Sequence, residues 1–557
     1  MDLTLLQSQI TQWLLLLTLI VITLLYLVIT SRASNLGHTH SLITAFPVVG
    51  RRSEWFSNIR IRIRSLWKTA DWAAEGYVKF TKHDLPCLIM MLDRGPMLLL
   101  SLKQMKTLYK LPENRLDIFG TLQQQIQAQY TVRDERVVRD PYHRYPVPGQ
   151  LTRKLNVFTL QMVTEIADGF NSTWGTETAW KEVQVWKACF RVITRATNAA
   201  LCGASLCSNP EYLQCLDGQS TAFFAGGTLI SITPGFLRPV TGYFVRLWCL
   251  SYSKRFARIC GPYIGQRIQE TKDGISSTES NSPKVSEPKN EILICYELKL
   301  NFGLQTDALQ LIIDEAISRN DSAQLLTNLI ADRILITNNV TLHGVTFTVQ
   351  HLLLSLISSN PSLGYIETLR EECQNALDNT GGSWNLEAVR SLKLLDSAIR
   401  ESMRIAPFAS IAMARTVVDP QGIEIGQADS APVLLPTGTM VAVPVESIHY
   451  DNDIYPDPHE FNAFRFVVPQ REINDGRTPR YTTSKPATAA DDHFFGFGTS
   501  KNPCPGRFLA VHEIKLILAH ILLNYELHHA EWNPRLPSIL ATKVPKLDAT
   551  MRVRRRA

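Results

Sequence analysis

Apolar positions along this chain fall into three patterns, and each predicts a different kind of element. The first is an unbroken run, Trp13 to Thr30, reading WLLLLTLIVITLLYLVIT with no charge. As a helix it rises about 27 Å, enough to cross a hydrocarbon core. It is longer than the apolar region of a cleaved signal. Asp2 precedes it with no Lys or Arg, and no small-x-small site follows, so it reads as a transmembrane anchor. Arg32, Arg51 and Arg52 follow the run, which predicts a lumenal N-terminus over 1–12 and a cytosolic chain beyond. With that topology the sequons at Asn171, Asn320 and Asn339 are not glycosylated. Residues 31–50 read as a linker, stiffened at Phe46-Pro-Val-Val-Gly50 by Pro47 and hinged at Gly50.

The second pattern has the helical period. Leu325 to Ser359 is long and apolar and ends before Pro361, and Leu392 to Ile405 is amphipathic and stops before Pro407. A third helix is predicted over about Arg507 to Asn524, with Phe508, Leu509, Ile514, Leu516, Ile517, Ile521 and Leu522 forming a buried face. The third pattern is short and β-rich: Gly422 to Ile425 and Thr439 to Val445, joined through Pro436-Thr-Gly438. Residues 51–557 therefore read as one large, mainly α domain with a small β portion. A Ser-, Lys-, Glu- and Pro-rich stretch over about 271–290 reads as an exposed mobile loop within it.

Composition adds a few exclusions. Hydrophobic residues are 45% of the 557 and charged residues 19%, enough apolar matter for a sizeable core. The net charge of +6 is modest, part of it in the terminal Arg552, Arg554, Arg555 and Arg556, and no basic stripe interleaved with aromatics suggests nucleic acid. Ten cysteines include no C-x-x-C pair, which argues against zinc and suits reduced thiols facing the cytosol.

The strongest chemical signal is Phe497-Gly-Thr-Ser-Lys-Asn-Pro-Cys504-Pro-Gly506-Arg507. A Gly/Ser-containing loop leads into a cysteine, and a helix begins directly after it. Unpaired N–H groups and the positive helix end then favour a thiolate, the form that binds metal. Gly498 and Gly506 let the backbone approach something flat. This segment resembles the haem loop of the cytochrome P450 family, F-G-x-G-x-[RH]-x-C-x-G, matching at Phe497, Gly498, Cys504 and Gly506. Ser500 replaces the third glycine. Asn502 stands where Arg or His usually meets a haem propionate; it can donate a hydrogen bond but carries no charge.

Two further motifs follow the family order. Glu401-Ser-Met-Arg404 matches E-x-x-R, whose ends share a helix face, and Phe461-Asn-Ala-Phe-Arg465-Phe466 resembles the segment whose arginine joins them. The resemblance implies a Glu401–Arg404–Arg465 cluster. It also places Val340-Thr-Leu-His343-Gly344-Val345 over the distal face, with His343 at the acid position and Gly344 at the usual threonine. His343 with Thr341 or Thr346 is then the candidate proton-handling set, against a histidine that merely satisfies a groove hydrogen bond. Arg415 and Arg153 stand where the family places propionate cations, with surface arginines as the alternative. Phe408 to Met413 is expected to line the pocket, or to be an ordinary core strand. Phe223, Phe224, Ile230 and Phe236 shape substrate entry, dip into the bilayer, or form plain core. Asp140-Pro-Tyr-His143 and Ser208-Asn-Pro-Glu211 resemble the ent-kaurene-oxidase-like fungal branch.

The resemblance implies a P450 fold behind one N-terminal transmembrane helix, in the endoplasmic reticulum with the haem domain facing the cytosol. It implies haem b ligated by Cys504, and monooxygenation of an apolar small molecule, a terpenoid or other specialised metabolite, using O2. Electrons would come from NADPH-cytochrome P450 reductase, with cytochrome b5 as a second donor, docking on the basic side near Lys501 and Arg507. The missing distal threonines keep open a haem-thiolate isomerase or dehydratase, and a non-catalytic haem-binding protein.

Overall fold

The computed structural model describes residues 40–144, 146–281, 307–427, 430–469, 481–483, 485–499, 501–532 and 536–557. The apolar run 13–30 lies outside them, as do residues 31–39 and part of the 271–290 stretch. The helix Arg238–Asn281 runs through the first residues of that stretch, which are therefore helical rather than loop.

The long apolar segment forms a 32-residue helix, Thr327–Ser358, about 48 Å long. It is long and apolar enough to cross a membrane, but 78% of its most apolar stretch is buried by the protein itself. It is the axis of the largest core, where Leu342, Val349, Leu352 and Leu353 meet Ile193, Ile312, Ile399 and Ile517 from other helices. The cysteine helix spans Arg507–Asn524 and buries Leu509, Val511, Ile514, Leu516, Ile517, Leu518, Ile521 and Leu522. Phe508, expected in that face, is 39% exposed and lies under the Arg507 guanidinium. The E-x-x-R helix spans Lys393–Ile405 and is buried from Leu394 onward.

The β portion centres on five strands in the order Cys87–Met91, Gly95–Leu99, Met440–Val443, Ala412–Val417 and Leu116–Asp117. Only Gly95–Leu99 against Met440–Val443 is parallel. Alternate residues enter separate cores: Leu88, Leu98, Val441 and Val443 on one face, Ile89, Met97, Leu99 and Ala442 on the other. The two predicted strands do not pair with each other. Ile423–Gln427 pairs with Ser430–Leu435, a strand the sequence pattern missed, while Met440–Val443 enters the main sheet.

The expected hinge is part of the folded domain. Leu42, Phe46 and Val49 are buried, and Val48 bridges Leu88. Gly50 has φ 77°, and a Cβ there would strike the Trp72 indole, so this turn requires glycine.

Candidate functional site

The candidate site has two parts, a rigid one around the E-x-x-R helix and the cysteine loop, and an exposed stripe on the long helix. On the rigid side, helical spacing puts Glu401 and Arg404 on one face, both fully buried. Arg404 Nε and Nη2 donate to the two Glu401 oxygens at 2.8 Å each. Arg465 Nε donates to the same carboxylate at 3.0 and 3.1 Å. Spare donors reach carbonyls: Arg404 Nη1 to His449 and Pro458, Arg465 Nη2 to Asp457 and Glu460. A buried charge is tolerable only when satisfied this fully.

His449 ties this cluster to the cysteine loop. The Phe495 N–H donates to its Nε2 at 3.0 Å, so Nδ1 carries the proton and donates to the Arg404 carbonyl at 3.1 Å. Burial and the Arg404 charge push the ring's pKa down to about 3, keeping it neutral. Arg400 adds a second tie, donating to the Pro486 carbonyl and Asp491 carboxylate while stacking on Phe494 at 3.9 Å.

The cysteine loop is closed by Gly498 N–H to Phe495 O at 3.0 Å and Cys504 N–H to Phe497 O at 2.8 Å. Gly498 takes φ 75°, the left-handed turn the loop needs. Phe497 packs partly buried against the main core. Cys504 is exposed, whereas the other eight described cysteines are buried. Yet the surrounding protein is dense enough that desolvation raises its thiol pKa, opposed by the Gly506 N–H and the Arg507 and Arg144 guanidinium charges. The Arg507 and Arg144 guanidinium charges thus act on the sulfur in favour of its thiolate.

The long helix carries one interrupted stripe. Val340 is 61% exposed in the middle of an otherwise buried helix. Ile336, Thr337, Thr341 and Gly344 beside it are part-exposed, matching one helical face. A Cβ on Gly344 would touch only Phe408, at 3.8 Å. Phe408, 39% exposed, packs on Phe347 at 4.8 Å.

Comparison with known proteins identifies the family. Residues 305–547 match the Cytochrome P450 family profile. The Penicillium ochrochloron protein named cytochrome P450 monooxygenase okaG is 35% identical, over 92% of this chain and 94% of its own. This chain belongs to the cytochrome P450 family. The Aspergillus rugulosus cytochrome P450 monooxygenase htyF is 31% identical, over 88% of this chain and 70% of its own. In fold, the chain is similar to the haem domain of a cytochrome P450DA mutant, with TM-score 0.61, 13% identity, and coverage of 92% of this chain and 98% of that one.

P450s are haem-thiolate proteins, and the residues here fit that group. Arg415 is buried to 3%, stacks on Tyr109 at 4.0 Å and gives Nη1 to the Tyr109 carbonyl at 3.4 Å, but its Nε has no partner. A buried guanidinium with an unmet donor suits an anionic carboxylate such as a propionate. Arg144, stacked on Phe119 at 4.4 Å and acting electrostatically on Cys504, is a further cation of the site that the sequence reading did not name. Arg153 is exposed at the end of the helix Pro146–Arg153. Asn502 gives its amide to Glu113 Oε1 at 3.4 Å.

The distal candidates separate. Thr341 lies on the stripe, its hydroxyl donating to the Thr337 carbonyl at 2.8 Å. Thr346 is fully buried and donates to the Leu342 carbonyl, so it stands away from the stripe. His343, on the stripe's edge, shares a 2.5 Å hydrogen bond with Ser220 and is ringed by Trp186, Phe190 and Phe224. Desolvation lowers its pKa to about 4, so it is neutral near pH 7.

Proposed function

We propose that this P450 is a membrane-bound monooxygenase that oxidises an apolar small molecule of specialised metabolism, with the Cys504 thiolate as the axial ligand of haem b. The observation that carries this reading is Cys504 itself, the one exposed cysteine among those described, at the start of the cysteine helix. The stripe Thr337–Val340–Thr341–Gly344 forms the opposite wall of the same slot. When bound, the haem supplies O2 activation, one oxygen atom entering the substrate and the other leaving as water.

The chain's own residues then divide the work. Arg415 and Arg144 orient the group by its carboxylates. Val340, Gly344 and Phe408 give an apolar floor that excludes water and seats the substrate. Thr341 spends its proton on the Thr337 carbonyl, leaving its Oγ1 lone pairs to accept from a water. Electrons come from NADPH-cytochrome P450 reductase, with cytochrome b5 as a second donor, on the side bearing Lys501 and Arg507.

Membrane association at the endoplasmic reticulum, with the haem domain in the cytosol, rests on the 13–30 run and on unpartnered apolar surface. Trp55 and Phe56 are 85% and 71% exposed, and Val240, Tyr243, Phe244 and Leu247 expose one helical stripe. The terpenoid class rests only on Asp140–His143 and Ser208–Glu211. Both segments do structural work: Asp140 and His143 accept from the buried Arg333, and Asn209 caps the helix Pro210–Ile232. A specific observation favours a second reading, an isomerase or dehydratase: no carboxylate lies at the centre of the stripe, and Gly344 brings no hydroxyl.

The test is purified holoenzyme with reductase, NADPH and a panel of terpenoids and other specialised metabolites, with products followed by mass spectrometry. Oxygen-18 from O2 in the product supports monooxygenation. Turnover without O2 or reductase moves the assignment to the isomerase. Cys504→Ala is expected to abolish the thiolate-type ferrous–CO band and all turnover; retained turnover refutes the ligand.

A further inference from the structure

At His343, helix Pro210–Ile232 meets the long helix through a polar contact and an aromatic cage. Ser220, 1% exposed, shares the 2.5 Å hydrogen bond with His343 Nε2. One turn on, Phe224 sets its ring edge-on to the same imidazole at 4.5 Å. Residues i and i+4 of one helix thus clamp one side chain of the other. Trp186 and Phe190 close the imidazole's remaining sides at 5.9 and 5.4 Å. Phe224 is still 39% exposed despite this packing.

The other side of Pro210–Ile232 is fixed differently. Gly218 and Gly226 lie so close to Tyr252 and Val245 of the helix Arg238–Asn281 that a Cβ at either glycine would collide. Side chains seated that closely on glycine backbone leave little room for sliding, so the two helices are expected to move together. The Ser220–His343–Phe224 clasp is one of their attachments to the long helix, beside the packing of Phe223 against Leu329. His343 in turn sits one residue from Gly344 and three from Val340, both on the exposed stripe.

Resting on the haem-site reading above, we propose that His343 is a positioning residue, clasped by Ser220 and Phe224, that sets how far the Pro210–Ile232 helix stands off the distal wall and hence how bulky a molecule can reach the iron. The imidazole contributes shape and a hydrogen bond to this role and transfers no proton. A hydroxyl–imidazole hydrogen bond between buried groups suits such a latch: strong enough to hold one arrangement, weak enough to open.

The experiment uses the full-chain holoenzyme, wild type beside Ser220→Ala, His343→Ala and His343→Gln. Hydrogen exchange is read for residues 210–232, and Soret shifts are read for imidazole and for the bulky azole clotrimazole. Ser220→Ala and His343→Ala are expected to speed exchange in 210–232 by about three- to tenfold, the loss of one net hydrogen bond. Clotrimazole should bind severalfold faster while imidazole affinity stays unchanged, and His343→Gln, which keeps a polar partner for Ser220, should return both readouts towards wild type. Unchanged exchange in both alanine variants overturns the clasp, as does acceleration spread evenly over the molecule. Absence of any azole-induced Soret shift in the wild type would instead sink the haem reading, while exchange still reports on the clasp.

Discussion

The two sides of the site are built by opposite means. Around Glu401, three charged side chains and five backbone carbonyls satisfy one another with almost no solvent. On the long helix, the stripe from Thr337 to Gly344 holds no charge, and its threonine hydroxyls bond only their own helix. A network of buried charges is costly to alter, because removing one partner strands the rest. An apolar wall with a glycine at its centre tolerates change, because neighbours can relax into space. The rigid side holds a fixed chemistry and the opposite wall sets what meets it, and four substitutions can break or sharpen that contrast.

Glu401→Ala should have the largest effect. It leaves the fully buried Arg404 and the partly buried Arg465 without their counter-charge, at a cost of about 3–5 kcal/mol. The expected outcome is little soluble holoprotein, read as haem absorbance per milligram. Normal yield and haem content would mean that the cluster is dispensable.

Glu513 comes next. It lies fully buried on the cysteine helix, accepts a 2.8 Å hydrogen bond from Thr197 at Oε1, and has no partner at Oε2. Desolvation pushes its pKa up to about 8. A carboxyl that holds its proton more tightly when folded stabilises most below its ordinary pKa, and that stability drains away as pH rises through the folded value. Stability should therefore fall between about pH 5 and pH 8, by on the order of 2–4 kcal/mol from this group. Glu513→Gln should flatten that slope. Melting curves across the range check it, and identical slopes in both proteins would refute a neutral Glu513.

How much of this was legible in the sequence follows from how local each interaction is. Glu401 and Arg404 are three residues apart on a helix, so helical geometry alone pairs them, and Cys504 announces itself through the loop and helix start around it. Arg465 was reachable only through the order of motifs. His449 was not, since its partners Arg404 and Phe495 lie 45 and 46 residues away with no local signature. Nor was Ser220, 123 residues from His343. Arg144 carries no motif that would single it out, because sequence fixes a cation's neighbourhood but not which way it faces. The strand Ser430–Leu435 was passed over because Ser-Ala-Pro-Val-Leu-Leu shows no clean alternation.

Arg415 tests the boundary between the two sides. Its unmet Nε and buried stack on Tyr109 suit a carboxylate of the bound group, a charge-assisted contact of about 1.5–3 kcal/mol. Arg415→Gln should raise the rate of haem transfer to apomyoglobin by about tenfold or more, with the protein still folded. An unchanged rate would return Arg415 to a purely structural role.

The smallest effect is expected at Gly344, and it is the sharpest probe of the tolerant wall. Glycine inside a helix costs roughly 0.5–1 kcal/mol relative to alanine, because the unfolded chain gains more freedom from it. A methyl group here meets only the Phe408 ring, at ordinary contact distance, so no clash offsets that gain. Gly344→Ala should therefore raise the melting temperature slightly and leave the ferrous–CO band unchanged, while narrowing the slot by one methyl. Selectivity among azoles of graded size should shift although stability improves. A destabilised protein would instead mean that the wall is packed as tightly as the Glu401 side, and the contrast between the two halves of the site would fail.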